Sequence, residues 1–251
     1  MELIEGRICV EAALAARQRR VRLIVVREGI HPKRVATLLQ MAEEQGVPVK
    51  FAPAAEIDAM AHGKTHGGVI ALATPKPPVP LEELVERLAH QAHAPALLLL
   101  DGVDDSQNLG FTIRSAEALG IDAVLLKKHV WDFDATAVSR ASSGAFERMP
   151  LAIVGQVEGE IPQLKRVGLR LWGCVASARR VIYEVDLTGP VIMAIGGEKR
   201  GLSAAVRRQC DGMVRIPIAG NVGSLALSHA AAIVMAEVMR QRLRKESPER
   251  L

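Results

Sequence analysis

Short apolar runs alternate with amphipathic segments along the first 73 residues of the chain. Six segments carry the pattern in the order helix, strand, helix, strand, helix, strand: GRICVEAALAARQR, VRLIVV, HPKRVATLLQMAEEQG, VPVKFA, AAEIDAMA and GGVIALA. Pro32 is placed to open the second helix and Gly46 to close it, because proline is favoured in the first helical turn and glycine just past the last. The pattern predicts a small α/β sandwich over residues 1–73.

Residues 74–80 interrupt this alternation. Their sequence, TPKPPVP, is dominated by proline, which has no backbone N–H to donate and a fixed φ. Stiff, extended proline segments commonly separate domains. We therefore predict a linker over 74–80, between a domain over 1–73 and a larger one over 81–251.

The alternation resumes on a larger scale after the linker. The predicted strands are ALLLLDGV, DAVLLK, MPLAIV, RLWGCVA, PVIMAIGG and GMVRIPI. The predicted helices are LEELVERLAHQ, a segment over 109–119, DATAVSRAS, a segment that begins near Ser203, and a final helix from about Ser224 to Arg244. Strands that are apolar without interruption are typical of a parallel sheet covered on both faces. The fold class predicted for this half is α/β, with a parallel sheet between two layers of helices.

Composition limits the classes of function. Hydrophobic residues make up 49% of the chain, yet no run approaches the roughly 18 apolar residues of a membrane span. The start, MELIEGRICVEAA, has acids where a secretory signal has a basic and then an apolar stretch. Cys9, Cys174 and Cys210 are far apart and in no metal-ligand spacing. We therefore expect reduced thiols, no metal site and a cytoplasmic protein.

The net charge of +4, with a pI near 9.1, is compatible with a polyanionic partner but does not require one. Aromatic residues are only 3% of the chain. This argues against a module that stacks single-stranded bases on a sheet of Phe and Tyr. If RNA is the partner, its contacts must come mainly from Arg and Lys side chains, backbone amides and shape.

The first stretch with chemical content is LDGVDDSQNLGFTIRSAEALG, residues 100–120. A buried strand ends in acids and leads through a polar loop into a helix that carries Arg114. Ligands of parallel α/β sheets gather at the carboxyl ends of strands, so Asn108 and Arg114 are well placed. A structural interpretation also fits, in which Asp105 or Ser106 caps the helix and Arg114 is a solvated helix arginine.

The second stretch, residues 192–220, has a strand that runs into Gly196, Gly197 and Glu198. Paired glycines at a strand end let a ligand approach the backbone closely. The spacing matches neither the dinucleotide fingerprint G-x-G-x-x-G nor the P-loop, which disfavours a nicotinamide-dependent enzyme. Taken alone, Glu198 fits a surface turn equally well.

The third stretch, GNVGSLALSH over 220–229, precedes the final apolar helix and holds no acid. Gly220 and Gly223 permit backbone shapes that other residues resist, and Ser224 or Ser228 is able to cap the helix. The stretch contains no G-x-S-x-G elbow and nothing nominates a base for Ser224, so a serine nucleophile is disfavoured. His229 fits a structural role better than a catalytic one.

Together and in this order, the three stretches resemble the motifs of the SpoU/TrmH branch of the SPOUT methyltransferases, which 2′-O-methylate ribose in RNA with S-adenosylmethionine. DGVDDSQNLGFTIRSAEALG is similar to the first motif, IGGEKRGLS to the second and IPIAGNVGSLALSHAAAI to the third. ASSGAFERMP, residues 141–150, also matches a segment common in the family. Residues 1–73 resemble the ribosomal-protein-L30-like RNA-binding domain of the ribosomal RNA members. The resemblance covers nearly the whole chain.

The resemblance implies a C-terminal deep trefoil knot whose loops hold S-adenosylmethionine. The cofactor-binding residues that it implies are Gly196, Gly197, Ile216, Ile218, Gly220, Gly223 and Leu225. The glycines would offer backbone groups and the aliphatic residues the apolar walls that a nucleobase needs. The implied partners are RNA, with guanosine of 23S ribosomal RNA by analogy, and a second copy of the chain in a homodimer. Neither a membrane nor DNA is expected.

The same resemblance places Asn108, Arg114, Glu198 and Ser224 at catalytic positions. The family assigns activation of the ribose hydroxyl to the arginine at position 114. Because a guanidinium stays protonated, we expect Arg114 to stabilise the developing alkoxide and grip the adjacent phosphate rather than act as a free base. Asn108 would orient the ribose or Arg114, and Glu198 would hold a neighbouring polar group.

The third motif departs from the family's usual Ser-Leu-Asn-Val-Ser, because residue 226 is alanine. Ala226 lacks the side-chain amide, and two interpretations therefore stay open. One is an active methyltransferase. The other is an RNA-binding protein of the same fold with weak or no catalysis, acting in ribosome assembly. Cofactor binding is expected to survive, because the other groups at 223–226 that would contact the cofactor are backbone or aliphatic.

Overall fold

The computed structural model describes residues 1–63 and 65–246, and the chain divides into two compact units. Unit 1 comprises Met1–Pro77 and Asp134–Arg148, and unit 2 comprises Pro78–Phe133 and the chain from Met149 on. The strands are β1 (Glu2–Glu5), β2 (Val21–Arg27), β3 (Val49–Ala52), β4 (Val69–Ala73), β5 (Ala96–Leu100), β6 (Ala123–Lys127), β7 (Leu151–Val154), β8 (Arg170–Cys174), β9 (Arg180–Val181), β10 (Val191–Ile195) and β11 (Gly212–Arg215). The helices are α1 (Arg7–Ala16), α2 (Pro32–Glu44), α3 (Ala54–Met60), α4 (Leu81–Ala89), α5 (Ser106–Ala118), α6 (Ala135–Ala141), α7 (Ala145–Arg148), α8 (Val157–Arg166), α9 (Ala204–Gln209) and α10 (Leu227–Glu246).

Unit 1 is built on a mixed sheet with the strand order β1-β4-β2-β3. The strand β4 pairs antiparallel with β1 and β2, and β3 is parallel to β2. The helix α2 begins at Pro32 and is capped by the His31 ring, whose Nδ1 accepts the Lys33 N–H at 3.3 Å. Gly46, just past α2, has a φ of +62°, which glycine adopts without strain. The pattern at 1–73 thus predicted every element of this unit's first segment except the short edge strand β1.

The segment 134–148 belongs to unit 1, which corrects its assignment to the second domain. The correction has a physical cause in a buried ion pair. Arg19 donates from Nε and Nη2 to the two carboxylate oxygens of Glu147, at 2.8 and 2.5 Å, and both side chains are 1% exposed. Ser139 donates its hydroxyl to the same carboxylate at 2.9 Å. Arg19 also donates from Nη1 to Glu2 of β1 at 2.6 Å, so this buried cluster holds the segment to β1 and to the turn that follows α1.

Unit 2 is built on a seven-stranded sheet with the order β7-β6-β5-β10-β8-β11-β9, and every pairing in it is parallel. Alternate residues face opposite sides: Leu97 and Leu99 pack in the core cluster of α4, α8 and α9, while Leu98 and Leu100 are equally buried on the other side. The helices α5 and α10 pack against each other. The predicted class, a parallel sheet with helices on both faces, is confirmed.

Two helix starts differ from the prediction, and both differences are explained by capping. Asp105 accepts the Asn108 N–H at 2.8 Å, so α5 begins at Ser106 rather than near 109. The final helix begins at Leu227 rather than near Ser224. The helix α8 and the two-residue strand β9 were not predicted. Among the described helices, none combines the length and apolar character needed to cross a membrane.

Candidate active site

A cavity of about 350 Å³ opens at the carboxyl ends of β8, β10 and β11. It lies beside the point where the sheet's strand order reverses, between β5 and β10, which is where parallel α/β sheets usually bind ligands. The residues that line it are Cys174, Val175, Ala176, Ser177, Ile195, Gly196, Gly197, Glu198, Gly201, Arg207, Ile216, Ile218, Ser224, Leu225, Leu227 and Ala230. The volume is within the range of small-ligand sites, and the wall is mainly small and aliphatic.

Gly196, the first of the paired glycines after β10, is required by the chain's own packing. A Cβ on Gly196 would lie 2.0 Å from the Gly201 carbonyl carbon, which no side chain tolerates. The Gly201 N–H donates to the Gly197 carbonyl at 2.8 Å, closing the turn that carries Glu198. Gly196 and Gly197 both line the cavity as well, and their contact with the cofactor stays a prediction.

Three of the predicted aliphatic wall residues, Ile216, Ile218 and Leu225, line the cavity. Gly220 and Gly223 lie in the exposed loop between them and are not among its lining residues. A Cβ built on either glycine meets no atom of the described chain within 4 Å, and neither has a positive φ. The fold itself therefore does not require glycine at these two positions.

Glu198 caps the final helix. Its Oε1 accepts the Leu227 N–H, the first of the helix, at 3.0 Å. Ala226 holds the N-cap position, because its carbonyl accepts the Ala230 N–H at 3.0 Å, yet alanine has no side-chain acceptor for the free N–H groups of the first turn. A carboxylate at a helix N-terminus is also favoured by the helix dipole. Glu198 of the second motif thus supplies a hydrogen-bond acceptor at the start of α10, where Ala226 has no side-chain acceptor.

Asn108 is tied to both the first and the third motif. Its Nδ2 donates to Asp105 Oδ2 at 2.7 Å, and its Oδ1 accepts the Ser228 hydroxyl at 3.0 Å. Asp105 therefore caps α5 and orients the amide, while Ser228 fixes the amide from the first turn of α10. The structure brings Asn108, Glu198 and Ser224 to the start of α10 or to the cavity wall beside it.

Arg114 is placed differently. It lies on α5, six residues after Asn108 and therefore about 9 Å further along the helix axis, and its side chain is exposed. It does not line the cavity of its own chain. The structure describes no acidic partner for it within residues 1–63 and 65–246. Arg114 thus stays available to an anion or to another chain.

Two family models match the sequence: "SpoU rRNA Methylase family" over residues 95–236 and "RNA 2′-O ribose methyltransferase substrate binding" over 3–79. A curated relative from Pseudomonas putida, "23S rRNA (guanosine-2′-O-)-methyltransferase RlmB", is 38% identical over 245 residues, covering 96% of this chain and 97% of its own. The chain belongs to the SpoU rRNA methylase family.

Solved structures agree with this assignment. The SpoU methyltransferase AviRb from Streptomyces viridochromogenes superposes with a TM-score of 0.81 at 24% identity, covering 97% of this chain and 90% of that one. The same protein in complex with the cofactor AdoMet, S-adenosylmethionine, is 26% identical with a TM-score of 0.79, covering 96% of this chain and 90% of that one. The predicted family, fold class, S-adenosylmethionine dependence and RNA methyltransferase activity are confirmed. The trefoil knot stays a prediction.

Several residues of this SpoU site are not predicted by the sequence motifs. Residues 174–177, which follow β8, form one side of the cavity, and Arg207 of α9 another. Burial raises the pKa of the Cys174 thiol to about 11, so the thiol is neutral at physiological pH. At 174–177, the small residues that follow an apolar strand could have predicted a cavity wall. Ser228 was considered as a cap, but its partner in the structure is Asn108. No group of three potential metal ligands occurs among the described residues.

Proposed function

We propose that this protein transfers the methyl group of S-adenosylmethionine to the ribose 2′-hydroxyl of a guanosine in 23S ribosomal RNA. The family match supports ribose 2′-O-methylation, and the relative named RlmB supports the guanosine and 23S assignment. The observation that carries the proposal is the junction at the start of α10. There Glu198 and Asn108 both bind the first turn of the helix beside a cavity of suitable size.

The described residues fit the cofactor. Ile216, Ile218 and Leu225 supply apolar walls for the adenine, and the exposed loop with Gly220 and Gly223 leaves backbone groups accessible. Bound S-adenosylmethionine supplies an electrophilic methyl group on a sulfonium. In the transfer, a C–O bond to the ribose would form and the S–C bond of the cofactor would break, with S-adenosylhomocysteine as the leaving product. The protein's task is to hold the hydroxyl in line with that bond, which accounts for much of the rate in such reactions.

The chain's own residues then divide the remaining work. Asn108, fixed by Asp105 and Ser228, orients the ribose or Arg114. Arg114 stabilises the developing alkoxide and grips the neighbouring phosphate, which relays the hydroxyl proton, because a guanidinium is an unsuitable base. Replacing Arg114 with lysine keeps the charge but removes the two-pronged donor, and a near wild-type rate in Arg114→Lys would exclude this role.

We further propose that the protein acts as a homodimer in the cytoplasm. The exposed Arg114 lies outside the cavity wall of its own chain, which is consistent with a role in the cavity of a second copy. The apolar face of α10 is the candidate contact surface, with Leu243 40% exposed. Light scattering on the purified protein tests the assembly, and a solution mass of one chain at micromolar concentration excludes it.

Unit 1 supplies a surface suited to RNA. Arg17, Arg20 and Arg22 are exposed around a groove that residues 44–48 and 74–77 complete. Their side chains have no acidic partner in the part of the chain that the structure describes, and guanidinium groups bind phosphate in pairs of hydrogen bonds. This supports the role that the substrate-binding family model names for residues 3–79.

The alternative function is an RNA-binding protein without catalysis, and Ala226 is the observation that favours it. Its position as N-cap weakens that support, because Glu198 already provides an acceptor at the same helix start. Mapping ribose 2′-O-methylation across ribosomal and transfer RNA, with and without the protein in cells, distinguishes the two functions. Loss of one 23S guanosine methylation supports the enzyme, and an unchanged map supports the binding protein.

A further inference from the structure

Arg207 is a charged residue in the cavity wall that the proposed mechanism does not use. It lies in α9, where its Nε donates to the Leu202 carbonyl at 3.0 Å. Its Nη2 comes within 4.0 Å of the Cβ position of Gly201, at the turn that also carries Glu198. One end of the guanidinium is thus anchored to the backbone, while the rest of it lies at an exposed edge of the cavity.

The surroundings of Arg207 differ from those of its neighbour. Arg208 pairs with Glu158 at 3.0 Å on the surface. For Arg207 the structure describes no carboxylate partner within residues 1–63 and 65–246. Of the described lining residues, Glu198 is the acidic one, and its Oε1 accepts the Leu227 N–H. Among the described residues, Arg207 therefore makes no ion pair, and the one carboxylate of the same wall is engaged with the start of α10.

S-adenosylmethionine has one group that matches such a cation, the carboxylate of its methionine part. Guanidinium and carboxylate form charge-assisted hydrogen bonds in a fixed planar geometry. We propose that Arg207 is the residue that binds the cofactor carboxylate, and with it selects ligands that carry the amino-acid part. The inference rests on the proposed cofactor site. It assigns Arg207 to binding, with no part in the methyl transfer itself.

Two nucleosides that differ by the amino-acid part separate this role from others. S-adenosylhomocysteine carries the carboxylate, whereas 5′-methylthioadenosine has the same adenosine and thioether without it. Isothermal titration calorimetry on the full chain measures both ligands against wild type, Arg207→Gln, Arg207→Lys and the control Arg208→Gln. The control removes the adjacent guanidinium, whose partner Glu158 lies outside the cavity lining.

Arg207→Gln is expected to lower the affinity for S-adenosylhomocysteine about 10- to 100-fold, the usual effect of losing hydrogen bonds to a charged group. The affinity for 5′-methylthioadenosine is expected to stay within about twofold, since that ligand has nothing for Arg207 to bind. Arg207→Lys keeps the charge and loses the fork, so a smaller loss, confined to S-adenosylhomocysteine, is expected. Arg208→Gln is expected to bind both ligands as wild type does.

Equal losses for both nucleosides would assign Arg207 to the nucleoside or to the shape of the loop and would overturn the proposal. Unchanged binding of both in Arg207→Gln would overturn it as well. Arg207→Lys covers the case in which Arg207→Gln fails to fold: a loss on 5′-methylthioadenosine as large as on S-adenosylhomocysteine excludes the carboxylate role. If wild type itself binds neither nucleoside, the cofactor site and the proposed function are overturned together with this inference.

Discussion

Ser228 donates its hydroxyl to the side-chain oxygen of Asn108 at 3.0 Å, joining the first turn of α10 to the first turn of α5. The other end of the Asn108 amide donates to Asp105 at 2.7 Å. Because its oxygen accepts one hydrogen bond and its nitrogen donates another, the amide has a fixed orientation. Asn108 is thus held in place by Asp105, 3 positions before it, and by Ser228, 120 positions after it.

Ser228→Ala is expected to reduce the methylation rate about fivefold, through the loss of one hydrogen bond worth about 1 kcal/mol. Cofactor affinity is expected to stay within about twofold, because Ser228 does not line the cavity. Single-turnover rates for Ser228→Ala, Asn108→Ala and the double variant test the coupling. If the two single effects simply add in the double variant, Ser228 does not act through Asn108.

Ala226→Asn is expected to stabilise the protein by about 1 kcal/mol, since asparagine at an N-cap accepts an N–H of the first turn and alanine does not. Urea unfolding measures the change. The control is Ala236→Asn, in the exposed middle of α10, which is expected to cost about 0.5 kcal/mol because asparagine is a weaker helix former. Equal effects at the two positions would show that residue 226 is not the cap. A simultaneous rise in the methylation rate would show that the amide also serves the reaction.

The glycines of the site are expected to separate into two classes. Gly196→Ala is expected to destabilise the protein by more than about 2 kcal/mol, because its Cβ would lie 2.0 Å from the Gly201 carbonyl carbon. Gly223→Ala is expected to change stability by less than about 0.5 kcal/mol, since its Cβ meets no protein atom and its φ is not positive.

If Gly223 lies against the cofactor as expected, Gly223→Ala also lowers the affinity for S-adenosylmethionine about tenfold, because the added methyl group contacts the cofactor. Thermal unfolding of the free protein and calorimetric titration report the two effects separately. Unchanged cofactor affinity in both Gly220→Ala and Gly223→Ala would remove these two glycines from the binding site.

Glu147→Gln is expected to destabilise unit 1 by about 2–3 kcal/mol, because the buried Arg19 loses its bidentate partner and is left with its ion pair to the part-exposed Glu2. Hydrogen exchange should show lost protection in α6 and α7 together with β1, since Ser139, Glu147 and, through Arg19, Glu2 belong to one hydrogen-bonded cluster. The control is Glu158→Gln, whose pair with Arg208 is exposed on both sides and worth less than about 1 kcal/mol. A loss as small as that of the control would mean that the pair does not hold segment 134–148.

The sequence predicted the parallel sheet because its strands are uninterrupted apolar runs, and α2 because Pro32 and Gly46 mark its ends. Within segment 134–148 the pattern predicted the helix at DATAVSRAS but not the short helix α7. The segment's place in unit 1 depends on a contact between Arg19 and Glu147, which are 128 residues apart, and no local pattern carries that information. Edge strand β1 was missed because four residues are too short for a periodicity to stand out.

For the site, the three motifs predicted which residues lie together. The residue types alone did not predict what each residue does there. Glu198 looks like an ordinary turn carboxylate until α10 is placed with its first N–H 3.0 Å away. Gly196 lines the cavity, but the fold already requires glycine there, because a Cβ would meet the Gly201 backbone. Nothing in the sequence pointed to Arg207 as a site residue, because an arginine on a helix is most often a solvated surface residue.

The most direct test of the central claim is methyl transfer by the purified protein. S-adenosylmethionine labelled in its methyl group is incubated with unmodified 23S ribosomal RNA, and the labelled nucleotide is mapped by nuclease protection and mass spectrometry. The account predicts stoichiometric label on the 2′-oxygen of one guanosine, and a rate about 100-fold lower in Arg114→Lys. Tight binding of both RNA and cofactor without any labelled ribose would contradict it and leave the protein as an RNA-binding relative of the enzymes.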